Sequence, residues 1–296
     1  MKTTLQNDQL KVEIDSLGAE MHSIQKDGLE YLWQADPDIW ARHAPHLFPI
    51  VGKLKGNKFS YQGQEYGMGG HGFARDIGFK LIPNDPDEEI QGQQLIYELT
   101  DNAVTKKIYP FAFKFRVYYQ LEENRITVGY LVTNPDSKNP LYFSVGAHPA
   151  FQVPLETGEF TDYKLTFDNP IHRMAFPLSP ETGLVDFHAG KEVIVTDLPL
   201  NHELFDHDAL IYNTHPGDSI TLTNSKDKHS VKVSWDGMPY VGLWSPYPKE
   251  GPFVCIEPWA GIADDRFTEG DFTQKIGIIQ LAPGVNFYAS YTIEIN

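Results

Sequence analysis

The sequence predicts an all-β protein, a large antiparallel β-sandwich, and three observations carry that expectation. Two runs between Phe111 and Val132 alternate apolar and polar residues over their whole length. Helical patterning is nearly absent, because no window of a dozen residues spaces its apolar positions by three and four without meeting Gly or Pro. A content of 24 Gly, 21 Pro and 13% aromatic residues suits many strands joined by tight turns.

The elements are taken from the amino end. Lys11 to Ile14 is a short strand candidate. Residues Asn84 to Gln94 carry Asp85, Asp87, Glu88 and Glu89 and are expected as an exposed loop or hairpin tip without a catalytic role. In the clearest pair of strands, Phe113, Phe115, Val117, Tyr119 and Leu121 share one face, as do Ile126, Val128, Tyr130 and Val132. Period 2 on both sides of Glu122-Glu123-Asn124 predicts a β-hairpin. Further strands are expected at Ile220 to Thr223, Val231 to Trp235 and Tyr288 to Ile295. Turn clusters separate them at Asn134-Pro135-Asp136-Ser137, Asp168-Asn169-Pro170 and Trp235-Asp236-Gly237. Val254 to Glu257 also reads as a strand, which Pro258 is expected to end by removing a backbone donor. Pro and Gly are spread evenly and no fixed-period repeat is present, so residues 1–296 are expected to form a single domain.

Composition narrows the function. A net charge of -16 with no basic stripe disfavours nucleic acid as a partner. The one cysteine, Cys255, excludes an internal disulfide framework and suits a reducing compartment. The first residues lack the apolar core of a signal peptide, no apolar run is long enough to span a bilayer, and no Asn-x-Ser/Thr sequon occurs. Cytoplasmic residence without membrane association is the expectation.

Several motifs lead nowhere. Gly67-Met68-Gly69-Gly70-His71-Gly72 fits G-x-G-x-x-G, but Phe73-Ala74-Arg75-Asp76 comes next in place of an apolar helix, so a dinucleotide site is not expected. His43 and His46 have a metal-like spacing, yet Pro45 lies between them and no Cys or carboxylate completes a ligand set; no metal is expected.

Three segments hold chemistry. In Gly69 to Asp76 the glycines allow close backbone approach to a ligand, with His71 and Arg75 as donors; a glycine-rich turn with an incidental His has the same appearance. In Phe143 to Phe151, His148 sits among small and apolar residues, as a structural His would, but with a carboxylate partner it could titrate near neutrality. Glu257 lies between an apolar run and Pro258-Trp259, where an edge ion pair and a partly buried general base are both admissible. Glu as base and His as acid suffice to move protons on a polar, uncharged substrate without a cofactor. Trp259 and Trp244 suit the apolar face of a sugar ring, so carbohydrate is the expected ligand.

Five motifs in order along nearly the whole chain then resemble the aldose 1-epimerases, the galactose mutarotase-like proteins, and within them the LacX-like branch. They are Phe48-Pro49-Ile50-Val51-Gly52-Lys53, Gly70-His71-Gly72-Phe73-Ala74-Arg75, Gly146-Ala147-His148-Pro149-Ala150-Phe151, Leu204-Phe205-Asp206-His207-Asp208-Ala209-Leu210 and Cys255-Ile256-Glu257-Pro258-Trp259. The resemblance implies a large antiparallel β-sandwich and an isomerase that interconverts the α and β anomers of a hexose. It implies Glu257 as general base on the anomeric hydroxyl, His148 as acid at the ring oxygen, His71 assisting there, and Arg75 binding substrate hydroxyls. One of Asp206 and Asp208 is implied as a sugar ligand, with Asp208 favoured. Lys53 stands where the family tends to have Arg, which keeps the charge and loses the planar fork. No cofactor is implied, and the partner is a small sugar, with the protein a monomer or homodimer. Two alternatives stay open here: a mutarotase for a hexose 6-phosphate, served by Lys53, Lys55, Lys58 and Arg75, and a non-catalytic sugar-binding or sensing protein.

Overall fold

Alternation becomes burial most plainly in the central hairpin. Lys114–Glu122 pairs antiparallel with Arg125–Thr133, and Phe115, Val117, Tyr119 and Leu121 face inward with Ile126, Val128, Tyr130 and Val132. Each such side chain contributes on the order of 1.5–3 kcal/mol by leaving water. The structure, a computed structural model, describes residues 1–83 and 92–296. Most of the acidic segment expected as a loop therefore lies outside the described residues, while Gln93–Thr100 is a strand beside the hairpin.

Two large sheets make up the body. A nine-stranded sheet runs in the order Asp197–Pro199, Tyr163–Phe167, Ser219–Asn224, Val231–Asp236, Asn286–Ile295, Arg125–Thr133, Lys114–Glu122, Gln93–Thr100 and Lys80–Ile82. An eight-stranded sheet has the path Lys191–Ile194, His172–Phe176, Leu210–Asn213, Tyr240–Trp244, Phe253–Ala260, Val145–Ala147 and His46–Leu47, with Ala150–Gln152 also paired to Phe253–Ala260. A four-stranded sheet, Lys2–Gln6 to Leu29–Glu30, stands at the amino end. The one α-helix among the described residues is a single turn, Thr105–Ile108. The strands expected near residues 11, 220, 231 and 288 are all present, each extended at one or both ends.

Between the large sheets lies a continuous core in which Phe115, Tyr130, Val241, Leu243, Val254 and Ile256 take part. His46 is sealed inside it. One of its ring nitrogens contacts the Tyr130 hydroxyl at 2.8 Å, and the other contacts the Tyr119 hydroxyl at 2.8 Å and the Ala19 carbonyl at 3.1 Å. His43 instead stacks on His22, with ring centroids 4.1 Å apart, so the two histidines weighed as a metal pair serve different neighbours. The G-x-G-x-x-G match is also accounted for: Gly67 closes the strand Gln64–Gly67, and the chain then enters the short 3-10 turn Ala74–Asp76.

One expectation is corrected. Pro258 does not end its strand, which continues through Trp259 to Ala260 and is buried at every residue. Glu257 therefore sits inside a central strand, with Tyr240–Trp244 on one side. The strand tolerates proline because its other neighbour is interrupted there: Val145–Ala147 and Ala150–Gln152 pair on either side of His148 and Pro149.

Candidate active site

The interrupted ladder is what creates the site. Gly146 faces Trp259 and Ala150 faces Cys255, so counting inward from both ends places His148 opposite Glu257. Facing residues of antiparallel strands project to the same side. The pair thus points away from Ile256 and Val241, which turn to the core. Pro149 and Pro258 remove two backbone donors beside this pair, and the ladder there thins to one long bond, from the Ile256 N–H to the Pro149 carbonyl at 3.3 Å. His148 Nε2 stands 3.2 Å from Glu257 Oε2. Glu257 is 1% exposed and His148 7%. Even so, Glu257 Oε2 and His148 Nδ1 are buried atoms without a hydrogen-bond partner. Unsatisfied buried polar atoms are costly, and here they mark the floor of a cleft.

Aromatic rings fix the imidazole. Trp40 stacks on His148 at 4.9 Å, while Trp244 meets it edge-on at 5.7 Å and His71 at 5.5 Å. Trp259 lies across Gly146 and Gly242, where any β-carbon would collide with its indole, and its Nε1 donates to the Ala147 carbonyl at 3.2 Å. Those two glycines are required by close approach.

Two non-glycine wall residues have left-handed backbone. His71 has φ +64°, next to Gly72 at +70°, and Asp208 has φ +73°. Such conformations are uncommon outside Gly, and surrounding bonds must hold them. For His71 the bonds are visible: its N–H donates to the Gly52 carbonyl at 2.8 Å, and its Nδ1 accepts from the Gly52 N–H at 3.3 Å. A neutral ring accepting at Nδ1 carries its proton on Nε2, so His71 offers a donor. Burial, with Arg75, Lys53 and Arg42 nearby, pushes its pKa down to about 3 and keeps it neutral. Arg75 donates to the Gly70 carbonyl at 2.9 Å, and its buried Nε, 4.0 Å from Asp76 Oδ2, has no hydrogen-bond partner.

The facing pair is tuned in opposite directions. Burial pushes Glu257 well above the usual carboxylate range, and the negative charge of Asp208 adds to the shift. Burial pushes His148 well below the usual imidazole value, and the neighbours His71, Arg75 and Arg42 add to it. Both shifts favour the uncharged forms, carboxylic acid beside neutral imidazole. A proton passed from Glu257 to His148 would give carboxylate beside imidazolium with no change in net charge.

Eight of the nine side chains expected from the sequence to meet a free sugar line this cleft: Lys53, His71, Arg75, His148, Asp208, Trp244, Glu257 and Trp259. Asp206 does not; it is exposed and contacts His207 at 2.5 Å. Of the two aspartates, Asp208 is the one at the cleft. Sequence reasoning missed Trp40, which comes from the loop before His46 and has no local pattern to flag it. It also missed Leu178, Gly183 and Ala263 on the far wall.

Residues 1–274 match the model of the family described as Aldose 1-epimerase. The chain belongs to that family. It is accordingly an isomerase of the mutarotase type. It is 35% identical, over an alignment of 305 positions covering 100% of this chain and 99% of the relative, to "Protein LacX, plasmid" of Lactococcus lactis subsp. lactis. A galactose mutarotase related enzyme from Lactobacillus acidophilus superimposes with a TM-score of 0.94 at 37% identity, covering 100% of this chain and 97% of that one. A galactose mutarotase-like protein from Lactobacillus casei ATCC 334 gives 0.90 at 30% identity, with 100% of both chains covered. These likenesses agree with the sandwich and with the branch expected from the motifs.

Proposed function

We propose that this epimerase interconverts the α and β anomers of a free hexose, with Glu257 as general base and His148 as general acid. The observation that carries this assignment is the facing pair, 3.2 Å apart at the floor of the cleft. In the ion-pair form, Glu257 takes the proton of the anomeric hydroxyl while His148 gives its proton to the ring oxygen. The bond between C1 and the ring oxygen breaks, and an open-chain aldehyde results. The pair is then in its other form, carboxylic acid beside neutral imidazole, which is the form burial favours. Rotation about C1–C2 presents the opposite carbonyl face, and reversal of both transfers closes the other anomer. His71 assists from its Nε2–H as a neutral donor to the ring oxygen, Arg75 and Asp208 hold hydroxyls, and Trp259 offers its face to the ring.

Residues 1–296 are read as one working unit, since a single core cluster includes both Leu5 and Ile295. Cytoplasmic residence is our reading from the cysteine content; among the described residues no helix is long and apolar enough to cross a membrane.

Relaxation of freshly dissolved α-glucose and α-galactose, followed by polarimetry or NMR, tests the assignment. The protein is expected to speed relaxation, and Glu257→Gln to lose on the order of 10²- to 10⁴-fold of that acceleration while staying folded. A folded Glu257→Gln variant with near-native rate would remove the base assignment.

A second reading has one observation in its favour. Beyond Lys53 lies another cleft, lined by Lys53, Lys55, Arg266, Glu181, Asn57, Ser179 and Thr182 among others but by neither Lys58 nor Arg75, which sets three cations against one carboxylate in a chain of net charge -16. Lys55 is engaged with the Thr268 carbonyl and Arg266 with Asp186, which leaves Lys53 on the shared wall as the residue to vary. If a hexose 6-phosphate is the substrate, Lys53→Met slows its relaxation far more than that of the free sugar.

A further inference from the structure

Three clusters among the described residues bring potential metal ligands within 4.8 Å of one another: Glu20, His22 and His43; Glu156, Asp227 and His229; and His148, Cys255 and Glu257. The first two are already committed to the fold. Glu20 Oε1 accepts from the backbone N–H groups of His43 and Ala44. The rings of His22 and His43 lie 14° from parallel, so their in-plane lone pairs run side by side and do not converge. In the second cluster, Asp227 Oδ2 accepts from the Tyr163 hydroxyl and from the N–H groups of Glu156 and Thr157. His229 Nδ1 is bonded to Tyr31.

The third cluster differs in every respect. All three residues are buried, Cys255 is a free thiol, and Glu257 Oε2 has no hydrogen-bond partner. The separation of 3.2 Å between His148 Nε2 and Glu257 Oε2 is close to what zinc requires. Two ligands each about 2.0–2.1 Å from a tetrahedral ion stand roughly 3.3 Å apart. Cys255 and Glu257 are two residues apart on one strand, and their side chains lie on the same face as that of His148. Charge also fits: one thiolate and one carboxylate neutralise a divalent cation beside a neutral imidazole, which an apolar surrounding demands. That surrounding is supplied by Trp33, Ala150 and Phe253, with Trp40 and Trp244 packed against them.

We infer that His148, Cys255 and Glu257 form a site for one zinc ion, and that the bound ion blocks turnover reversibly. The ion takes the lone pairs that the acid and base need, so metal and sugar exclude each other. The thiolate makes the site selective. Magnesium, which demands six oxygen ligands in octahedral array, has no place there. Binding itself rests only on the three ligands; the loss of activity rests on the proposed roles of Glu257 and His148. Cys255 does not line the sugar cleft, so its variants retain the basal rate.

The test measures binding and activity separately on the full chain. Equilibrium dialysis against zinc chloride is expected to give one tightly held ion per chain, and mutarotation is expected to stop as that ion binds and to return with chelator. Magnesium chloride is expected to do neither. Cys255→Ser is expected to keep its mutarotation rate and to weaken zinc binding at least about 10-fold. In the unmodified protein, cobalt chloride is expected to produce a thiolate-to-cobalt charge-transfer band that saturating sugar suppresses. This last measurement decides the matter even if the variant fails to fold. Equal zinc binding by the unmodified protein and a folded Cys255→Ser variant, or a cobalt complex with no thiolate band, overturns the site. One bound zinc with a thiolate band and undiminished mutarotation keeps the site and overturns the catalytic pair.

Discussion

Two buried histidines, each next to a proline in sequence and carried by neighbouring segments of one sheet, have opposite surroundings. His46 and His148 are 0% and 7% exposed, and burial lowers the pKa of both. His46 has partners at both ring nitrogens, two tyrosine hydroxyls and a carbonyl. His148 has an orphaned Nδ1, a stacked indole and a carboxylate whose own oxygen is orphaned. Burial and a lowered pKa are common to both; unfilled hydrogen-bonding capacity beside a carboxylate is what sets His148 apart.

The contrast can be broken by exchanging the consequences of mutation. His148→Gln is expected to lower kcat/KM by about 10²- to 10⁴-fold with little change in the denaturation midpoint. His46→Phe is expected to do the reverse, destabilising the fold by roughly 2–4 kcal/mol as the Tyr119 and Tyr130 hydroxyls lose their shared partner. Its turnover per folded molecule stays near native. Urea denaturation and anomer relaxation, measured on the same samples, read both effects.

Acid sharpens the same comparison. The pKa of His46 is lowered from 6.5 to about 4 in the folded state, so the unfolded chain takes up a proton over a range where the native ring takes none. This contribution to stability is present above pH 6.5 and is lost as the pH falls toward 4, about 3 kcal/mol in all. His46→Phe removes that share of the acid sensitivity. His43, also lowered to about 4, keeps its own.

A smaller effect separates the two aspartates. Asp208→Asn is expected to raise KM roughly 10-fold, from the loss of a charged hydrogen bond to the sugar. It also lowers the pKa of Glu257, because the neighbouring negative charge is gone. Asp206→Asn is expected to change neither, since Asp206 is exposed beside His207.

Much of the sandwich was legible because period 2 survives in sequence: the hairpin from Phe113 to Val132 could be read with both faces assigned. Glu257 was legible as a residue and misplaced as an element. Pro258 ordinarily ends a strand, and nothing local announces that the neighbouring strand is interrupted at His148 and Pro149 to accommodate it. Trp40 was illegible for a related reason. Its role is set by a stack on His148, more than a hundred residues away, and loop residues carry no periodicity. Asp208 was favoured over Asp206 in sequence, but nothing local there separates the two; the structure puts Asp208, with its left-handed backbone, at the cleft and Asp206 outside it.

The central claim is that Glu257 and His148 share a single proton and work as base and acid. The pH profile of kcat/KM for anomer relaxation tests it most directly. A broad bell is predicted, with its acid limb below the ordinary histidine value of 6.5 and its alkaline limb well above the ordinary carboxylate value of 4.5. Asp208→Asn should move the alkaline limb down. A profile that falls through 6.5 on the acid side, or one unchanged in Glu257→Gln and His148→Gln, would contradict it.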